Sequence, residues 1–293
     1  MNLVTTVLEI TAPVFLLAAL GFTWVKLGYE YQLQFVTRLA MTLAVPCLIF
    51  VALMQAEVDP ASLTAVSLAT VAVYGALSFV MWLLMKTARL DVRTYLAPLI
   101  FGNTGNLGLP LALFAFGAEG LSFAVVIFAI MCVWSFTFGI WLVAGGGAPW
   151  RALKEPMVGA TLLGGIFLWQ GWQTPTFLTN ALELIGQMAI PLMLITLGVA
   201  VARLTPGRLG RAAILSIVRA LICAGLALLI GTYFALEPVA LAVLILQVAT
   251  PVAVTSYLLA EKYGADADAV SGLVVVSTLL SVLYLPVLLA LLL

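Results

Sequence analysis

The chain reads as an all-α integral membrane protein with ten transmembrane helices in two inverted five-helix repeats. Three observations predict this. Of 293 residues, 65% are hydrophobic and only 8% charged, with a mean hydropathy of +1.24; a soluble domain carries about a quarter charged residues. The basic residues fall on alternate loops. A proline-centred pattern recurs five helices apart.

A crossing helix needs about 20 mostly apolar residues. Ten runs qualify: 3–25, 33–54, 63–85, 94–116, 120–144, 156–173, 178–202, 211–235, 238–260 and 268–293. The sixth is short and ends in Trp169 and Trp172, as an interfacial aromatic belt would. The first run has no basic leader segment and no early small-residue cleavage site, so it reads as a span and not as a signal peptide. Asp266 and Asp268 open the tenth as helix caps.

Charge fixes the orientation. Lys26 and Arg38 flank the first loop, Lys86, Arg89 and Arg93 the third, and Arg151 and Lys154 the fifth. Arg203, Arg208 and Arg211 flank the seventh, and Lys262 lies on the ninth. The even loops carry acids such as Glu57, Asp59 and Glu119. By the positive-inside rule the odd loops are cytoplasmic and both termini face outside.

Leu43-Ala44-Val45-Pro46 in the second span matches Met188-Ala189-Ile190-Pro191 in the seventh. Pro110 in the fourth span pairs likewise with Pro251 in the ninth. Five is odd, so two halves of five spans sit in opposite orientations, an architecture common among secondary transporters. The expected division is residues 1–144, a cytoplasmic connection at 145–155, and residues 156–293.

Composition also excludes functions. Basic and acidic residues balance at twelve each, leaving no polybasic tail for nucleic acid. There is no histidine, hence no His-based catalysis, metal site or proton relay. Cys47, Cys132 and Cys223 each sit in an apolar run and read as small buried hydrophobes. No Walker motif is present for ATP coupling. Neither a paired set of intramembrane acids nor a cysteine pair suggests an enzyme, and no cofactor or metal is expected.

The string GNTGNLGLP at 102–110 is foreign to an apolar span. Backbone groups freed by Gly and Pro cannot face lipid, so such a segment packs in protein or lines a polar cavity. Gly102, Gly105, Gly108 and Pro110 break the fourth span, and Pro251 breaks the ninth. Paired broken helices are the best sequence pointer to a transporter's binding site. Half-helices starting at the two prolines would present free N–H groups and partial positive charge to one cavity, favouring an anion such as a carboxylate. The substrate candidates are Asn103, Thr104, Asn106, Gln247 and Thr250, with Thr255 and Ser256 just beyond the second break. Gln247 is equally suited to capping the crossing.

Other polar residues have two readings each. Arg219, about two turns inside the eighth span, is expected to snorkel to the cytoplasmic face; the alternative is a counter-charge for substrate or a partner for an acid. Glu9 is expected near the outer interface, with a proton site as the alternative. Ser277, Thr278 and Ser281 on the tenth span, and Ser135 and Thr137 on the fifth, are expected to pack by bonding their own helices. The alternative is support or coupling of the site.

GNTGNLGLPLALFAFG resembles the crossover segment of the auxin efflux carrier family. QVATPVAVTSYLLAEKYGADADAVSGLVVVSTLLSVLYLP is similar to that family's last two helices, and TAPVFLLAALGF followed by LAVPCLIF is similar to its N-terminal part. The resemblance covers the whole chain. It implies crossed broken helices four and nine, in a fold like that of bile acid symporters and sodium/proton antiporters. Helices one, two, six and seven would be a scaffold, with a homodimer through it. Helices three to five and eight to ten would be a transport domain moving as an elevator. The implied substrates are organic acids: malonate, malate or auxin-like acids. Without the long central loop of plant members, the chain looks like a compact bacterial member of the inner membrane. The competing readings are a sodium-coupled symporter of the bile-acid type and a non-transporting membrane sensor.

Overall fold

The computed structural model describes residues 3–56, 59–144, 156–204 and 209–293. The connection expected at 145–155, with Arg151 and Lys154, lies outside the described residues, as do Glu57 and Arg208. Apart from one antiparallel backbone bridge, the regular structure of the described residues is helical.

The first half begins with α1 (Leu3–Lys26) and α2 (Leu33–Leu39). A π-helical turn, Ala40–Ala44, leads into α3 (Val45–Met54). Pro46 sits in the first turn of α3, where its missing N–H is absorbed by the wider turn before it. Next come α4 (Pro60–Thr87) and α5 (Val92–Ile100). Asp91 caps α5, its carboxylate accepting from the Thr94 amide at 2.9 Å. A second π-turn, Thr104–Gly108, opens α6 (Leu109–Trp134), and a third, Ser135–Gly139, opens α7 (Ile140–Ala144).

The second half holds α8 (Pro156–Gln170), α9 (Thr176–Gln187), α10 (Ala189–Arg203) and α11 (Leu209–Tyr233). It ends with α12 (Pro238–Ala249), α13 (Val254–Tyr263) and α14 (Ala267–Leu292). Proline starts α4, α8 and α12, at the position where a helix tolerates it best. Asp266 caps α14, its side chain accepting from the Ala269 amide at 3.0 Å.

Seven helical runs among the described residues are long and apolar enough to cross a membrane. One of them, Thr104–Val143, has 40 residues. Straight, it would be about 60 Å long, twice the hydrocarbon thickness. It is not straight: Gly117 has φ 64° and ψ −152°, outside helical geometry, so the chain turns between 116 and 118. Trp169 and Trp172 are both exposed, at the end of α8.

Two sets of helices pack most closely. In the first, α1 lies along α10, and α3 lies against α8 and α9. The α1–α10 approach is close enough that a methyl group on Gly198 would fall 1.7 Å from the Ala18 carbonyl oxygen. In the second, α11 contacts α4, α12 and α14, while α6 contacts α4 and α12. The largest core cluster runs through this second set, around Tyr74, Phe123, Val243 and Leu273.

Candidate functional site at the crossing

Both broken helices come apart at the same place. α5 stops at Ile100 and helix resumes at Thr104; α12 stops at Ala249 and helix resumes at Val254. The two unwound stretches run antiparallel and satisfy each other's backbone. The Asn103 amide donates to the Pro251 carbonyl at 2.7 Å, and the Ala253 amide to the Phe101 carbonyl at 3.4 Å. The Val252 amide donates to Ser277 Oγ at 3.0 Å, bringing in α14. Tyr284 Oη donates to the Ala249 carbonyl at 2.7 Å, and Thr250 Oγ1 to the Gln247 carbonyl, also at 2.7 Å. Buried peptide groups freed from a helix need such partners.

The restart differs from the sequence expectation. Neither second half-helix begins at its proline. Pro110 lies inside the first turn of α6, six residues after helix resumes, and Pro251 lies within the unwound stretch. The π-turn at Thr104–Gly108 spreads the backbone ahead of Pro110, so its missing donor does not force the break there. The break falls instead at Gly102, which has no room for a side chain. A Cβ there would lie 2.4 Å from Thr250 Oγ1 and 2.9 Å from Arg219 Nη2.

A cavity of about 890 Å³ opens beside the crossing. Its inner wall is made of Gly102, Asn103, Gly105 and Asn106 from one break and Ala253, Val254 and Thr255 from the other. These are the starts of both second half-helices. Asn103 is buried, and its Nδ2 has no hydrogen-bond partner among the described residues. Ser135, at the third π-turn, also faces the cavity, beside Phe128 and Met131. The outer part reaches the loop between α1 and α2 and the end of α10, where Arg38 and Arg203 line it. Among the described residues no Asp or Glu lines it.

At this mouth Arg203 donates to the Tyr31 carbonyl at 2.6 Å, and the Tyr31 and Thr196 hydroxyls share a hydrogen bond of 2.8 Å. Burial raises the Tyr31 pKa above the usual phenol value, outweighing the Thr196 bond and the Arg203 charge, so the phenol is neutral near pH 7.

Of the sequence-predicted residues, Asn103, Asn106, Thr255, Gly102, Gly105 and Ser135 line the cavity. Thr104, Gln247, Thr250 and Ser256 are buried and do not. Gln247 is the clearest correction. Its amide is wedged against the backbone at Gly108, where a Cβ would meet Oε1 at 2.1 Å. Arg219 is the second correction: it does not snorkel. It is 1% exposed, and Nη1 donates to the Thr250 carbonyl. α11 is rotated so that this side chain points to the crossing, and depth along a helix does not reveal rotation. Ser277 supports the crossing through Val252, whereas Ser281 bonds the Thr278 carbonyl of its own helix at 2.6 Å. The Thr278 hydroxyl has no partner among the described residues, and Thr137 bonds the Val133 carbonyl at 2.6 Å. Glu9 is exposed on α1, away from the cavity.

Sequence reading missed the mouth. Arg38 and Arg203 counted only as loop charges, and Cys132 only as a core residue, although it too lines the cavity. Their joint signal is that two loop-end cations flank helices meeting at the break. None of the three cysteines is in a disulfide.

A family model described as membrane transport protein matches residues 6–150 and 145–289. A protein of Methanothermobacter thermautotrophicus described as an uncharacterized transporter is 29% identical over 293 residues, covering 95% of this chain and 96% of that protein.

Proposed function

The chain belongs to the auxin efflux carrier family of membrane transport proteins, and from that premise we propose that it is a secondary active transporter of small organic anions, bound in the cavity beside the crossing. One observation carries the substrate class. The cavity wall is built from the N-terminal starts of two half-helices, its mouth holds two arginines, and no acidic side chain lines it among the described residues. Helix N-termini and guanidinium groups both favour a carboxylate, and a bidentate arginine pair suits its shape. The asparagine amides supply neutral donors and acceptors that can orient it.

The architecture proposed for this function is ten crossings in two inverted repeats. Counting the turn at Gly117 as a loop divides the Thr104–Val143 run into two crossings. The broken pairs α5–α6 and α12–α13 make one crossing each, and α8 is the short sixth. The set containing α1, α3, α8, α9 and α10 is the scaffold, and the set around α11 is the transport domain moving as an elevator. The cavity mouth lies on the side of the basic odd-numbered loops, so this conformation faces the cytoplasm if the positive-inside rule orients the chain. Both termini then lie outside the inner membrane, and a homodimer forms through the scaffold.

The test is thermal stability of the purified protein against malonate, malate, indole acetate, a bile acid and neutral amino acids, with and without sodium. A ligand that binds the native state raises the melting temperature. A shift with a carboxylate, independent of sodium and reduced in Asn106→Ala, supports the reading. A shift only with neutral or cationic compounds overturns the anion assignment, and a strict sodium requirement moves the coupling to the bile-acid type.

A further inference from the structure

Arg219 is the least expected side chain in the molecule. It is among the largest fully buried residues, and it makes no ion pair with an acid among the described residues. One nitrogen donates to the Thr250 carbonyl, while Nε and Nη2 have no hydrogen-bond partner. Arginine does not deprotonate in proteins, so the crossing contains a full positive charge. An isolated buried ion is strongly unfavourable unless its surroundings carry opposite charge.

The backbone supplies that opposite charge. α5 and α12 both end at the crossing, at Ile100 and Ala249, and the C-terminal end of a helix carries partial negative charge. Carbonyl groups gathered this way call for a cation. The guanidinium reaches the end of α12 through Thr250 and lies against Gly102, just past the end of α5. On its other face Gly102 lines the cavity. A charge one backbone thickness behind the wall acts through a low-dielectric interior, where it is felt strongly.

We propose that Arg219 is a built-in cation: it neutralises the carbonyl ends of the two broken helices, as a bound metal cation could, and leaves the cavity wall electropositive for an anion. The second half of this statement rests on the anion reading above; the first does not. The negative helix ends point at Arg219, and the positive helix starts point at the cavity. The crossing is thereby balanced without a coupling ion on its carbonyl side.

The variants that separate charge from hydrogen bonding are Arg219→Lys and Arg219→Gln. Lysine keeps the charge and loses the planar fork; glutamine keeps donors and loses the charge. Two readouts are taken on purified protein: the melting temperature without substrate, and the affinity for malonate or whichever panel carboxylate binds the wild type. Arg219→Lys is expected to hold both near wild type. Arg219→Gln is expected to lose about tenfold or more in affinity, a difference of about 1.4 kcal/mol. Its melting temperature without substrate should fall and be partly restored by low-millimolar guanidinium or sodium ions, which leave the wild type unchanged. Equal behaviour of Arg219→Gln and wild type overturns the proposal. So does a folded Arg219→Lys that has lost tenfold or more, which also decides the matter if Arg219→Gln does not fold. If the wild type binds no anion at all, the anion reading falls by itself, and the cation dependence of the substrate-free melting temperature still decides the role of Arg219.

Discussion

Gly108 has no space for a methyl group, because the Gln247 amide fills it: Oε1 would be 2.1 Å from an added Cβ. The amide is completely buried, with neither of its polar ends bonded among the described residues. Gly108→Ala should therefore cost about 1–3 kcal/mol as overpacking. Adding Gln247→Ala removes the obstructing atoms, so the double variant should melt above the Gly108→Ala single variant. A purely additive cycle, read from the melting temperatures of wild type, the two single variants and the double variant, would show that these positions do not touch. Asn106 differs in kind. It faces the cavity, not the core. Its loss should weaken carboxylate binding by about tenfold, the loss expected of one hydrogen bond to a charged group, while the melting temperature without ligand stays put. The two positions look alike in sequence, two residues apart in one glycine-rich string. Only the direction of each side chain distinguishes a packing role from a binding one.

At the scale of elements, the breaks were legible and their mechanics were not. Glycine, asparagine and proline in an apolar run announce a helix interruption, and each such run contains one, at 101–103 and at 250–253, although the first falls at Gly102 and not at Pro110. The restart at Thr104 was illegible because a π-turn carries the chain to Pro110 without a second break. The burial of Arg219 was illegible because snorkelling and burial need the same residue at the same depth on differently rotated helices. Serines on α14 show the same limit. Ser277 and Ser281 are four residues apart and read identically, yet only Ser277 accepts from an amide of the crossing. Ser277→Ala should leave the Val252 N–H buried and unpaired, at about 1–3 kcal/mol. It should lower both melting temperature and carboxylate affinity. Ser281→Ala should change neither, since it loses only a bond to its own helix. Equal effects in the two variants would mean that Ser277 does not hold the crossing.

Over the whole molecule, charge is arranged along one path. Arg38 and Arg203 stand at the mouth, the positive helix starts lie at the bottom of the cavity, and Arg219 lies behind the wall. Such a funnel should speed the approach of anions, and salt should weaken it, because the screening length is only about 10 Å at 0.1 M ionic strength. Carboxylate association should slow as ionic strength rises, and Arg38→Gln should flatten that dependence without lowering the melting temperature. A salt dependence unchanged in Arg38→Gln would remove this residue from the path. The all-helical membrane class and the pairing of the two breaks could be read from composition and repeats. The cavity itself could not, because it is assembled from residues that sit at distant points along the chain, from Tyr31 to Leu258.

The most direct test of the central claim, that a small organic anion crosses through this cavity, is flux into proteoliposomes. Uptake of the carboxylate that stabilises the protein would be followed in vesicles holding equal amounts of wild type and Asn106→Ala. The predicted result is saturable uptake by the wild type, without ATP, and about tenfold less uptake by the variant at carboxylate concentrations below half-saturation. Equal uptake by both proteins, or no saturable uptake of any carboxylate, would contradict it.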